Sequence, residues 1–278
     1  MSARMTNGQM VVVEPRSLNA DRLATLLDHA NRTGAKVIGY ISIGEIHNSR
    51  IAEFTSFFER FQKTNTNLKI RTVNDVFLNR NAQFNSTRVD VLSEAWRAWV
   101  MQDIDGIYTR GFHGLMLDTV DTVDACIGKK DWPIPRRVES VQAMVSFVRA
   151  IKARDRGKFI VQNRGLNLIG EKVFVGDASG VEIPGLTLAG GHADNPDGVL
   201  WENAFAGTDG WSKNKEKQLL EIQRSGKTAV IALGYAQTVR EPAPFFQKCA
   251  AARFIPAWAT SSEVLHRELT TGPAWLNQ

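Results

Sequence analysis

The sequence predicts a single (β/α)8 barrel occupying residues 1–278, and three observations predict it. Short apolar runs alternate with longer segments of helical period, the runs number close to eight, and a chain of 278 residues suits one large α/β unit of roughly 250 residues.

The first strand is expected at Met10–Glu14 (MVVVE) and the second at Lys36–Ser42 (KVIGYIS). The third lies between Leu68 and Asp90, where LKIRTV and STRVDV compete, and the second of these is the preferred choice. Gly114–Asp118 (GLMLD), Lys158–Asn163, Gly198–Glu202 (GVLWE), Thr228–Gly234 and Phe254–Ala259 complete the set. These seven, the third strand apart, read as strands buried on both faces. Between them, Val138, Val141, Val145, Val148 and Ile151 recur at helical spacing, so Val138–Arg154 is expected to be an amphipathic helix. Further helices are expected near Asn19–Thr33, Ile51–Gln62, Ser93–Ile107, Asn214–Ser225 and Pro244–Arg253. The stretch at about 171–197, with GLTLAGGHADNPDG, is too rich in Gly and polar residues for a plain connection and reads as a loop excursion.

Composition narrows the function. With 43% hydrophobic and 23% charged residues and no apolar run near the roughly 20 residues of a membrane helix, no membrane span is expected. Lys and Arg exceed Asp and Glu by 34 to 29, but they are scattered singly, so no nucleic-acid partner is expected. Cys126 and Cys249 show no metal-ligand spacing and are too few to staple a fold. The opening MSARMTNGQM lacks the apolar core of a secretory signal. No Walker loop, G-x-S-x-G elbow or G-x-G-x-x-G follows a strand, which removes nucleotide and serine-hydrolase chemistry.

What remains is a series of polar residues at the carboxyl ends of strands: Glu14, Glu45, Asp90, Asp118, Asn163 and Glu202. In such a barrel those ends converge on the rim that carries the chemistry. Two carboxyl groups facing each other across a sugar divide the work of glycoside cleavage and need no cofactor or metal. Asp118 and Glu202 are the candidate pair; helix capping for Asp118 and a rim ion pair for Glu202 are the competing readings. Asp118, Asp121 and Asp124 form a D-x-x-D-x-x-D series that fits a helix start better than a cation site. His47, His113 and His192 lie near the rim without ligand spacing, and His113 reads as structural. Tyr40, Trp201, Phe205, Trp211, Tyr235 and Trp258 supply flat rings near strand ends, where sugars pack, although core filling is the commoner fate of each.

Taken in order, VIGYISIGEI, SEAWRAWV, GFHGLMLDTVD, VQNRG and DGVLWENAF resemble glycoside hydrolase family 114, the endo-α-1,4-polygalactosaminidase group, over roughly Met10–Ala259. The resemblance implies a TIM barrel and hydrolysis of α-1,4 linkages in galactosamine-containing polysaccharide. It implies Asp118 as nucleophile and Glu202 as general acid/base, with retention of configuration and no cofactor. Glu45, Asp121 and Asn163 would line the substrate rim; Glu14, Tyr40, Asp90, Tyr235 and Trp258 complete the candidate binding set. A monomer, secreted or periplasmic, acting on a polysaccharide or oligosaccharide is what the likeness implies. Two departures stand out: His113 where the family commonly has Asp, and the excursion, within which Glu182 competes with Glu202 for the acid role. A barrel that binds polysaccharide without cleaving it, a glycosidase of other sugar specificity, and a metal-dependent lyase or aldolase are the alternatives.

Overall fold

The apolar runs assemble into a curled parallel sheet. The structure, a computed structural model, describes residues 9–170, 172–175, 181–184, 188–189, 191–238, 241–259 and 270–271. The first half of the chain builds β1 (Met10–Val13), α1 (Ala20–Thr33), β2 (Lys36–Ser42), β3 (Glu45–His47), α2 (Ile51–Thr64), β4 (Phe77–Asn81), β5 (Ser86–Val89), α3 (Glu94–Thr109), β6 (Gly114–Asp118) and α4 (Thr122–Ile127). The second half builds α5 (Ile134–Arg154), β7 (Phe159–Asn163), β8 (Lys172–Val175), β9 (Val181–Pro184), β10 (Gly198–Glu202), α6 (Gly210–Ser225), β11 (Ala229–Tyr235), α7 (Pro242–Ala252), β12 (Ile255–Ala259) and β13 (Thr270–Thr271).

The main sheet runs β1-β2-β6-β7-β10-β11-β12-β13, parallel throughout except for the last, antiparallel pair. Helices begin and end where the sequence supplies caps. Asn19 accepts from Arg22 N at the start of α1, Gly34 closes that helix at φ 71°, and Asp209 caps α6 by accepting from Ser212 N at 2.9 Å.

One expected strand is absent from its place. β5, the preferred third barrel strand, pairs antiparallel with β3 and β4 in a separate three-stranded sheet, and β2 pairs directly with β6. The described residues therefore give seven parallel strands to the barrel sheet instead of eight. The chain leaves the barrel at Gly44, where a Cβ would meet the Thr119 carbonyl oxygen at 2.2 Å. Only glycine lets the chain pass this close to the end of β6, and β3 then leads away from the barrel. The excursion contains its own hairpin, with β8 and β9 paired antiparallel from Lys172↔Pro184 to Val175↔Val181.

Side chains alternate between two cores, as strand geometry requires. Ile38, Met116, Phe159, Val161, Leu200, Ile231, Leu233 and Tyr235 pack together inside the curl. Their strand neighbours Val37, Leu115, Leu117 and Ile160 join the core shared with α1, α2, α3 and α5, while Val199, Trp201, Val230, Ala232 and Trp258 pack in the layer of α6 and α7. Parity along each strand thus decides which residues can reach the interior.

Candidate active site

The inward series on three neighbouring strands ends in a polar residue: Asp118 on β6, Asn163 on β7 and Glu202 on β10. The register aligns them, since Leu117 sits beside Gln162 and Leu200 beside Asn163. Asn163 is buried, and its Nδ2 donates to Asp118 Oδ1 at 2.8 Å and to Glu202 Oε1 at 2.9 Å. An amide nitrogen's two N–H bonds diverge by about 120°, so these two oxygens stand roughly 5 Å apart. The gap cannot exceed the two legs end to end, which falls short of the roughly 6.5–9.5 Å of inverting glycosidases.

Each carboxylate has a second partner. Tyr40, inward on β2, donates its hydroxyl to Asp118 Oδ2. Burial, and then the Asp118 charge, holds the Tyr40 phenol far above its ordinary value, so it remains a donor. Arg164 grips Glu202 Oε2 through Nε at 2.8 Å and Nη2 at 2.7 Å, and reaches Asp121 Oδ2 at 3.4 Å. Burial raises the half-buried Asp121 carboxyl; Arg164 opposes the shift, and Asp124 and Asp118 add to it. Tyr235, inward on β11, has its phenol raised first by burial and then by Glu202.

The backbone after each of the three residues is unusual. Thr119, Arg164 and Asn203 all adopt left-handed conformations, with φ of 62°, 55° and 52°. Such conformations cost roughly 1–3 kcal/mol each in residues other than glycine and persist only where the surroundings enforce them. At Thr119 the enforcement is visible: Oγ1 accepts from Gly44 N at 2.8 Å and lies 2.8 Å from Ser42 Oγ. The turn ends the strand immediately beyond the inward side chain and leaves that side chain at the rim.

A cavity of about 3020 Å³ runs from this row through the inside of the curl, where Val12, Met116, Val161 and Leu233 also line it, to the opposite strand ends at Lys36 and Phe159. Glu14, Tyr40, Glu45, Asp118, Asp121, Asn163, Glu202 and Tyr235 line it. Asp90 and Trp258 are not brought there. Asp90 is fully buried, ion-paired with Arg136 and accepting from Leu92 N at 3.0 Å and Ser140 Oγ at 3.3 Å. Trp258 faces outward on β12 against Phe245 and Phe246. Glu45 borders the cavity, but its oxygens are occupied by Asn81, Ser86 and Arg88 of the small sheet. Glu14 accepts from Arg16 N at 3.3 Å and is exposed. The Glu182 side chain lies outside the described residues.

His113 is structural: its Nδ1 accepts from Val37 N at 2.9 Å, and its Nε2 lies 3.1 Å from Asn31 Oδ1. Among the described residues, no group of three or more His, Cys, Asp or Glu is placed to hold a metal ion, and no helix is long and apolar enough to cross a membrane. Arg164 and Thr119 were not singled out by the sequence, whereas Ser42 stood in the YISIGE stretch that carries the family resemblance. The available signal for Arg164 was a lone cation in VQNRG, between a strand-terminal Asn and a glycine, beside an acidic rim.

A barrel sheet with two carboxylates held across its rim is an arrangement that glycoside hydrolases use, and the family comparison places the chain in that class. The family model described as "Glycoside-hydrolase family GH114" matches residues 9–182, and the chain belongs to that family. No curated protein matches it in sequence. Among solved structures, the glycoside hydrolase domain of PelA from Pseudomonas aeruginosa is similar, with 20% identity and a TM-score of 0.63 over 95% of this chain and 90% of that one. Ega3 from Aspergillus fumigatus, solved in complex with galactosamine, is similar at 15% identity and a TM-score of 0.56 over 95% and 88%. At these identities the likeness establishes the barrel fold alone.

Proposed function

We propose that this glycosidase cleaves α-1,4 linkages within galactosamine-containing polysaccharide with retention of configuration, Asp118 acting as nucleophile and Glu202 as general acid/base. The single observation that supports the mechanism is the Asn163 amide, which donates to both carboxylates and so keeps their bonded oxygens about 5 Å apart, a gap that favours retention. In the first step an Asp118 oxygen bonds to the anomeric carbon while the glycosidic C–O bond breaks, and Glu202 gives its proton to the departing oxygen. In the second, water gives a proton to Glu202 and its oxygen to the anomeric carbon, and the ester to Asp118 breaks. Tyr40 and Asn163, both donors to Asp118, favour the anion that must attack and be regenerated.

Family membership and the fold shared with a galactosamine-bound neighbour support the sugar class. A partly deacetylated polymer carries ammonium groups, which the acids lining the cavity attract. The reading includes a monomer located outside the cytoplasm, secreted or periplasmic.

The test is incubation with α-1,4 galactosamine oligomers, free and N-acetylated, with NMR of the first-formed product. Wild type should release the α-anomer, and Asp118→Asn and Glu202→Gln should release none. A β-anomer formed first would overturn retention; turnover surviving in either variant would overturn the assigned pair.

A further inference from the structure

The three chain segments that follow β6, β7 and β10 carry a second set of side chains further from the barrel. Asp124 lies in the first turn of α4, Asn167 in the short 3-10 turn Leu166–Leu168, and Trp211 in the first turn of α6. Asn167 Nδ2 donates to Asp124 Oδ1 at 2.9 Å, and Trp211 Nε1 donates to Asn167 Oδ1 at 3.4 Å. This outer set therefore repeats the plan of the inner one: an amide in the centre and a partner on either side.

Its chemistry differs. Trp211 is 53% exposed, an unusual state for the most apolar-bodied side chain in a soluble protein. One explanation would be looseness, but the indole is tethered at its nitrogen to Asn167. Lys215, one turn along α6, lies 5.8 Å from the ring centroid, with its ammonium directed to Gln218 Oε1 at 3.1 Å. A flat ring fixed at its edge and open to solvent suits the C–H face of a pyranose. Asp124 lines the cavity, whereas Asn167 and Trp211 stand outside its lining; Oδ1 of Asp124 accepts from Asn167 and leaves Oδ2 beside the ring, with burial raising the carboxyl and Asn167 and Lys215 opposing the shift. Ring and carboxylate together match an amino sugar, which has an apolar face and an ammonium group.

We propose that Asp124, Asn167 and Trp211 form a second sugar-binding subsite, outward of the cleavage row, that takes an amino-sugar unit of the polymer. The preference for a free amine rests on the substrate class proposed above; stacking on Trp211 does not. The subsite holds the chain by a unit remote from the bond being broken, which raises affinity for long substrates.

Binding to the Glu202→Gln protein tests this without turnover, using galactosamine and N-acetylgalactosamine oligomers by calorimetry. Adding Trp211→Ala should weaken both oligomers about tenfold, and Trp211→Phe should recover most of the loss. Adding Asp124→Asn should weaken only the free-amine oligomer, by severalfold, with the difference fading at high salt. Equal affinity with and without Trp211 would overturn the subsite. Equal weakening of both oligomers by Asp124→Asn would overturn its amine preference. If the Glu202→Gln protein binds neither oligomer, the substrate class itself fails and the subsite falls with it.

Discussion

Asp90 and Asp118 look alike in the sequence, each an aspartate closing an apolar run, yet the fold gives them opposite surroundings. Asp118 ends a strand of the barrel sheet at an inward position and shares a donor with Glu202 across an open cavity. Asp90 follows a strand of the small antiparallel sheet and is sealed against Arg136 and Ser140 of α5. Every acceptor of the second is filled by a fixed partner, so it can only hold structure in place. What separates the proposed nucleophile from a supporting carboxylate is therefore sheet membership and parity, since burial and polarity occur in both.

The contrast can be broken first at its reactive end. Asp118→Asn should lower kcat by about 10⁴-fold or more while the melting temperature stays nearly constant, as measured by oligomer hydrolysis and calorimetry. Asp90→Ala should do the reverse. Leaving Arg136 without its buried partner should cost about 3–5 kcal/mol in urea unfolding, with kcat/KM of the folded protein changed by less than about twofold. A large loss of turnover in folded Asp90→Ala would erase the distinction.

A smaller effect sharpens it. Arg164 contacts Glu202 Oε2 and has no assigned contact with the sugar in the proposed mechanism, so it acts as a positioning residue for Glu202. Arg164→Met should lower kcat by about 10²-fold, more than it changes KM, because a carboxyl group free to swing loses its alignment. Recovery by Arg164→Lys should be partial, since an ammonium cannot reproduce the two-pronged grip.

The smallest expected effect concerns His113. Burial, then Lys36 and Lys158, hold its imidazole below the ordinary value. The unfolded chain therefore binds more protons as pH drops through about 6.5. The stabilisation is complete above that pH and is lost on further acidification, when Nδ1 can no longer accept from Val37 N. The urea midpoint of wild type should fall between about pH 7.5 and 5.5, and His113→Gln should show a smaller fall.

Much of this was legible in the sequence. Seven apolar runs became the seven parallel strands, and Asp118, Asn163 and Glu202 were readable as strand-terminal polar residues. Parity, once Glu202 is taken as inward, also places Trp201 outside, a step available from the letters alone. The fate of Ser86–Val89 was not, because a short β-rich run carries no mark of the sheet it will join. Nor was the left-handed backbone at Thr119, Arg164 and Asn203, since none of the three is glycine and the constraint comes from neighbours distant in sequence. Arg164 escaped for a related reason: its value depends on Glu202, 38 residues further along the chain.

Those three abrupt turns also separate responsibilities within the chain. Because each strand stops at its inward side chain and the backbone turns at the next residue, the loops that follow begin afresh and can lengthen or change sequence without levering those side chains out of alignment. Inheritance of the bond-breaking apparatus and innovation in which polymer is admitted can then proceed on different stretches of the same polypeptide, and the hairpin between β7 and β10 is one place where such innovation has room to occur.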